Sequence, residues 1–366
     1  MKQFKRSIML FHRDLRIDDN TALQAAVQQS DEVMPVFIGD PVQVSKTNAY
    51  RSNNALQFMV DSLEDLSGQL RDKGGKLFCF HGHTQEIIKR LIREYDISAV
   101  FSNRDYTPFA RDRDVQLRHL VEQAGTKWFS FDDALLCNPD TLFTGKGTPY
   151  TIYTAFLKKA IECEVVSPHV LRSGTFFKHH SIDEIQLAAF KKELMGSNPL
   201  LFQTGGSHGA HTILSHLGTF KNYSEIRNNP SLKTTGLSAH LKFGTVSVRQ
   251  VYAACKKAQV DSQLIKELYW RDFFTYIGYH NPSVFGHAFV KKYDHIAWSH
   301  NKQWFDRWCE GMTGFPLVDA GMRQLNTTGF MHNRIRMVVA SFLTKDMLID
   351  WRWGERYFAQ LLTDYF

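Results

Sequence analysis

The 366-residue chain is poor in the features that mark a secreted, membrane-bound or metal-stapled protein. Its five cysteines, Cys79, Cys137, Cys163, Cys255 and Cys309, are odd in number and widely spaced, with no C-x-x-C. No disulfide framework and no metal site is expected, and a reducing cytoplasm fits. There is no apolar run of about 18 residues, so no membrane span is expected. Met1–Arg6 is charged but leads into no long apolar segment, which argues against a secretory leader. The patterns G-x-G-x-x-G, Walker A, G-x-S-x-G and H-E-x-x-H are all absent. The usual dinucleotide, nucleoside-triphosphate, serine-hydrolase and zinc-protease readings therefore lack support. His179 and His180 are adjacent, so they do not share a helix face as two metal ligands would.

What is present points elsewhere. Lys and Arg outnumber Asp and Glu by 44 to 37, a net charge of +7 that favours polyanions, nucleic acid first. Aromatic residues make up 13%, and six of the seven Trp lie after residue 269. Together with arginines they suit a pocket for a planar ligand or a base, although aromatics mostly fill cores. The length suggests two domains. Residues 1–135 alternate apolar runs (Ser7–Phe11, Val33–Ile38, Lys76–Phe80, Ile97–Ser102, Trp128–Phe131) with helix-period stretches such as Ala55–Leu70, Gln85–Tyr95 and Val115–Ala124. That alternation predicts an α/β, doubly wound parallel sheet. Residues 136–205 read as an interdomain connection, with only short periodic segments such as Tyr150–Ile161. Residues 206–366 read as all-helical, with a capping box at Ser247–Gln250 and helical runs at Gln263–Tyr279, Gln303–Glu310, Val318–Leu325, Arg334–Leu348 and Glu355–Leu362.

Three segments of the helical half carry the chemistry. Glu267, Trp270 and Arg271 share a helix face by their i, i+3, i+4 spacing. The plainer reading is a surface Glu267–Arg271 ion pair beside a core tryptophan. The functional reading is a ligand met by both charges and the indole. Asn333, Arg336 and Met337 share a second face. Asn333 reads either as a helix cap or as an amide facing a ligand edge. Thr234, Thr235, Gly236, Leu237 and Ser238 precede a helix and read either as a loop-to-helix cap or as a phosphate cradle.

Taken together and in order, these segments resemble the DNA photolyase/cryptochrome family across essentially the whole chain. Phe11–Asn20 is similar to the family's N-terminal F-R-x-D-L-R-x-x-D-N signature. Thr234–Ser238, Glu267–Phe273, Gly314–Asp319, Met331–Met337 and Asp350–Phe358 resemble its flavin- and substrate-pocket motifs. The resemblance implies an α/β antenna-type domain followed by an all-α FAD-binding domain. It implies FAD as cofactor, with a folate or a deazaflavin as antenna. Tyr223, Thr234, Thr235, Gly236, Leu237, Ser238, Arg271, Asn333, Arg336 and Asp364 match flavin contacts, with Arg336 paired to Asp364. Glu267, Trp270, Asn333 and Met337 match the pocket for a flipped pyrimidine dimer. Arg227 and Arg334, with Trp270, match DNA contacts. Trp298 and Trp351 match members of a tryptophan electron-transfer chain.

The implied function is light-dependent repair of cyclobutane pyrimidine dimers in DNA by electron transfer from reduced FAD, a deoxyribodipyrimidine photo-lyase activity. A monomer is expected. Asn333 fits photolyases better than plant cryptochromes, which place Asp there. His332 and Met337 resemble class I enzymes more than the DASH type, and the paired pocket histidines of (6-4) enzymes are absent. The sequence departs from the family at its end. It stops at Tyr365-Phe366, where the family continues with a second Asp and an N-N-x-x-W-Q-W segment. From that departure, weak FAD binding and little photorepair are expected of the chain as written. A photosensor and an inactive DNA-binding fragment are the competing readings.

Overall fold

The computed structural model describes residues 2–179, 184–185, 187–194 and 197–365. The five apolar runs of the first half become strands β1 (Phe4–Phe11), β2 (Ser30–Gly39), β3 (Phe78–His81), β4 (Ala99–Asn103) and β5 (Lys127–Phe131). They form one parallel sheet in the order β3-β2-β1-β4-β5. Near-continuous apolar runs such as Ile8–Phe11 and Val33–Ile38 are what a sheet covered on both faces requires. The helices α1 (Thr21–Gln29), α2 (Pro41–Val44), α3 (Asn53–Asp72), α4 (Thr84–Tyr95) and α5 (Pro108–Gln123) connect the strands and cover the sheet. Asn20, Ser52 and Thr107 cap α1, α3 and α5 by accepting a backbone N–H three residues on. The short helix α1 went unread in the sequence because Gln24, Gln28 and Gln29 dilute the apolar period.

The remaining elements are helical: α6 (Tyr153–Ala160), α7 (Leu187–Leu194), α8 (Ser207–Ser215), α9 (Tyr223–Ile226), α10 (Ser238–Phe243), α11 (Val248–Ala258), α12 (Ser262–His280), α13 (Lys302–Glu310), α14 (Pro316–Thr328), α15 (Asn333–Ser341) and α16 (Trp351–Leu361). The capping box at Ser247 and Gln250 forms as expected and opens α11. One core packs α6, α11 and α12 around Phe156, Tyr269 and Tyr276; a second packs α13–α16 around Trp308 and Met322. The helix expected over Arg334–Leu348 is shorter. Regular α geometry ends at Ser341, a π-helical turn spans Phe342–Asp346, and Leu348 takes φ +52°. No helix among the described residues is long and apolar enough to cross a membrane.

The N-terminal signature turns out to be an interdomain clamp. Arg249, at the start of α11, donates from Nε to Asp19 Oδ2 at 2.9 Å and from Nη2 to Asp133 Oδ1 at 2.7 Å. Arg16 also pairs with Asp133, and its Nη1 reaches Gly244 O at 3.1 Å. All four charged side chains are nearly inaccessible to solvent. Gly244 is required here: its φ is +65°, and a Cβ would lie 2.2 Å from Arg13 O. Burial alone would raise the Asp133 carboxyl, but the charges of Arg16 and Arg249 outweigh it and hold the group well below the usual carboxylate range.

Asp133→Ala is therefore expected to lower stability by about 3–5 kcal/mol in urea unfolding, because it strands two buried guanidinium groups. The linkage sign follows from the depressed carboxyl. Its stabilisation is fully present above the unfolded-state value of about 4 and is lost as pH falls below it. The wild-type chain should lose this increment on acidification, and the alanine variant should show a flatter stability profile below pH 4.

Candidate functional site

Helix α12 begins at Asp261, whose side chain accepts Gln263 N at 2.8 Å, and this sets the phase of the helix. Glu267, Trp270 and Phe274 then fall on one face, with Trp270 half-buried and Phe274 exposed. The expected Glu267–Arg271 ion pair does not form. Arg227, just past α9, donates to Glu267 Oε1 instead, and Gln263 Nε2 donates to the same oxygen at 2.8 Å. Arg271 turns away toward the first domain and donates to Ala134 O at 2.6 Å. Two opposite charges four residues apart thus find better partners on other elements.

The second motif joins the first through the neighbouring residue. Arg334 Nη2 donates to Asn228 Oδ1 at 2.6 Å, and its Nη1 lies 3.4 Å from Met337 Sδ. Arg227 and Asn228 therefore bridge α12 to α15, bringing Glu267, Arg334 and Met337 into one region. Asn333 is not the cap of α15. The cap is the buried His332, whose Nδ1 accepts Arg334 N at 3.1 Å, so Asn333 stands exposed in the first turn. Tyr223, expected with the flavin contacts, lies close enough to Glu267 and Arg227 to feel both charges. Burial, then the Glu267 charge, pushes its hydroxyl up to about 12.

A small, shallow pocket lies between α10 and the last described residues of the chain. Phe202, Gln203, Gly236, Ser238, Phe330, Thr363 and Asp364 contribute to its wall. Gly236 has φ +70°, and a Cβ there would meet Gln203 Nε2 at 2.3 Å. Thr235 Oγ1 accepts Leu237 N at 3.4 Å, whereas Thr234, Thr235 and Leu237 are not part of the wall. The expected Arg336–Asp364 pair is present at 2.8 Å. Burial opposes ionisation of Asp364, but the Arg336 charge and hydrogen bond prevail and lower its carboxyl. Its second oxygen, Oδ1, is buried without a hydrogen-bond partner. Phe366, the expected point of departure from the family, lies outside the described residues.

A larger cleft of about 390 Å³ lies between the domains, at the carboxyl ends of β1 and β4, where the strand order reverses. His12, Arg13, Asp105, Tyr106, Lys242 and Arg271 are among its lining residues. Lys242 connects the two cavities, donating to Thr363 O at 2.9 Å. Burial, helped by the Arg13 charge, lowers its ammonium to about 7. Trp298 and Trp351 lie on segments that run side by side, since Ser299 pairs with Ile349. Trp351 opens α16 beneath the Arg352 guanidinium at 4.9 Å, and the Trp298 indole nitrogen is buried without a partner.

Sequence reasoning missed Gln263, Asn228, Gln203 and Lys242. Gln263 lay within a helix already read, one turn before Glu267, and could have been included. The others act through partners far away in the chain and carry no local signal.

Comparison with known proteins agrees with this arrangement. Residues 7–170 match the family model "DNA photolyase", and residues 264–366 match "FAD binding domain of DNA photolyase". A deoxyribodipyrimidine photo-lyase from Synechococcus is 33% identical over 98% of this chain and 78% of the relative. The crystal structure of a photolyase from Sulfolobus tokodaii with two FAD molecules superposes with a TM-score of 0.90 at 37% identity, covering 99% of this chain and 80% of that one. A bacterial class III photolyase from Agrobacterium tumefaciens gives a TM-score of 0.92 at 32% identity, covering 100% and 78%. With both family models matched in order and relatives of this similarity along nearly its full length, the chain belongs to the DNA photolyase family.

Proposed function

We propose that this chain is a light-driven DNA repair lyase that splits cyclobutane pyrimidine dimers, with FAD as its redox cofactor. We place it among the class I enzymes on His332 and Met337, acting as a cytoplasmic monomer. The observation that carries the reading is the cluster on α12, α9 and α15: an indole, Trp270, beside a carboxylate, Glu267, that is itself bridged to Arg227.

The residues of the smaller pocket fit FAD. Asp364 presents an ionised, buried carboxylate beside the Ser238 hydroxyl, and its Oδ1 suits a ligand N–H or hydroxyl. Arg336 holds that carboxylate, and Gly236 lets the backbone come close to a ligand. When bound and reduced, the flavin supplies a light-driven electron to the dimer. The chain's own residues bind and orient. A dimer inside a duplex must be flipped out, at a cost of a few kcal/mol. Trp270 offsets that cost by stacking, about 1–3 kcal/mol per base. Glu267, steadied by Arg227 and Gln263, accepts from an N–H on the polar edge of the flipped pair and fixes its orientation. Asn333 and Met337 line the same opening. Arg227 and Arg334 hold phosphates without reading sequence. We assign an antenna, a folate or a deazaflavin, to the interdomain cleft, where ligands of open α/β sheets bind. Arg13, Lys242 and Arg271 suit an anionic group on that chromophore.

Four outcomes test this reading. The flavin content of the purified chain, expected from its sequence to be low, is read from its absorption spectrum, and Asp364→Asn should weaken FAD binding by about a further 10- to 150-fold, the worth of a charged hydrogen bond. Wild-type affinity retained in that variant would place the flavin elsewhere. Trp270→Ala should reduce the preference for dimer-containing over undamaged oligonucleotide by about 5- to 150-fold while sparing undamaged-DNA affinity. Equal losses on both DNAs would remove its stacking role. Arg227→Ala should weaken binding uniformly across sequences and reduce the salt slope by about one. Illumination with a reductant should restore dimer-containing oligonucleotide. Flavin reduction without restored DNA would favour a photosensor.

A further inference from the structure

An indole has two faces, and the structure closes one of them. Tyr153 of α6 lies parallel to Trp270 of α12, with ring centroids 3.4 Å apart and planes 9° from coplanar. At that separation nothing can slip between the rings. The Tyr153 hydroxyl donates to Lys266 O at 2.9 Å, one turn earlier on α12. Tyr153 is therefore fixed at both ends: its ring by Trp270, its hydroxyl by the helix that carries Trp270. Phe273 meets both rings edge-on, at 5.7 Å from Tyr153 and 5.9 Å from Trp270. Phe274 also lies roughly parallel to the indole, 23° from coplanar, but at 5.6 Å and 65% exposed it covers the ring far less closely than Tyr153 does.

Tyr153 is poorly explained as core packing. The next turn of α6 does that work through the fully buried Phe156, which packs on Phe273 and Tyr276. Tyr153 stays half-buried at the edge of that core, on the side facing Glu267. Burial, then the Glu267 charge, pushes its hydroxyl up to about 12, so it remains a neutral donor at any physiological pH.

We propose that Tyr153 is a positioning residue for base recognition: it backs one face of Trp270 and holds the other face open for a single flipped pyrimidine. This deepens the repair reading and rests on it. A free indole loses rotamer freedom on meeting a base. An indole already clamped by Tyr153 has lost that freedom on folding, so stacking of the base is stronger. The role is separate from phosphate contacts, because Tyr153 carries no charge.

The test compares the full chain with Tyr153→Leu and Tyr153→Phe on oligonucleotides with and without one cyclobutane dimer. The leucine variant should lose about two- to tenfold of its preference for the dimer, the worth of one aromatic pair, with undamaged-DNA affinity unchanged. The phenylalanine variant should restore most of it. Full preference in the leucine variant, or equal loss on both DNAs, would overturn the proposal. A second readout needs no DNA. The near-ultraviolet circular dichroism bands of Trp270, identified by difference from Trp270→Phe, should collapse in Tyr153→Leu and persist in Tyr153→Phe. Unchanged bands in the leucine variant would also overturn it. If wild-type protein shows no preference for the dimer, the repair reading fails, and the indole bands still decide whether Tyr153 fixes Trp270.

Discussion

Taking Arg16, Asp19, Asp133 and Arg249 out of water costs several kcal/mol per charge unless each meets its counter-charge in good geometry. The chain meets that condition at one place only, where the loop after β1, the turn after β5 and the start of α11 come together. Neighbouring contacts between the domains are set beside it. Leu15 N donates to Phe243 O at 3.0 Å, Gly244 comes against Arg13 and Asp14, and α10 is held over the carboxyl end of the sheet. Both cavities border on α10. A change in the clamp would therefore move the pocket beside Asp364 and the interdomain cleft together.

Polar groups that are not balanced by counter-charges respond to burial in the opposite direction. Asp14, in the same loop, is pushed up to about 6, and Asp272 behind Arg271 to about 7, in both cases chiefly by burial. Lys242, between the cavities, falls to about 7. Asp133 and Asp364, each with an arginine at hydrogen-bond distance, shift downward despite equal burial. The distinction is one of magnitude: two guanidiniums on Asp133, and one at 2.8 Å with a further hydrogen bond on Asp364, outweigh desolvation, whereas the longer 3.4 Å contact of Arg271 with Asp272 does not. The cavities are thus lined partly by groups that titrate near neutrality, and the clamp and the Arg336–Asp364 pair by groups that do not.

The face of α12 proposed to meet the dimer is built differently, by short bridges at the surface. Glu267 reaches Arg227, Arg334 reaches Asn228, and Tyr153 reaches Trp270 and Lys266. None of these partners shares a helix with the residue it holds, Tyr153 least of all, since it comes from the connection between the domains. Such half-exposed contacts add little stability. Their effect is to fix orientation, which is what recognition of a flipped base requires.

The sequence by itself settled the strands, most helices and the capping box, because period and caps are local: apolar runs at Ile8–Phe11 and Val33–Ile38 and the Ser247–Gln250 pair depend on neighbours a few residues away. It also settled the family, because dispersed motifs in order survive in the sequence whatever their contacts. The Arg336–Asp364 pair was legible only by resemblance, since 28 residues separate its members. Tertiary structure alone decided which partner each charge takes. Glu267 and Arg271 stand at ideal spacing for an ion pair, yet one turns to Arg227, 40 residues away, and the other to the carbonyl of Ala134, 137 residues away. The signature at Phe11–Asn20 read only as a family resemblance, and its Arg16 and Asp19 form half of the interdomain clamp. Tyr153 was visible only as one residue of a periodic segment. Its role depends on α6 packing across α12, a contact spanning 113 residues from hydroxyl to Lys266. Local periodicity encodes which face of a helix is buried; what that face meets depends on the whole fold.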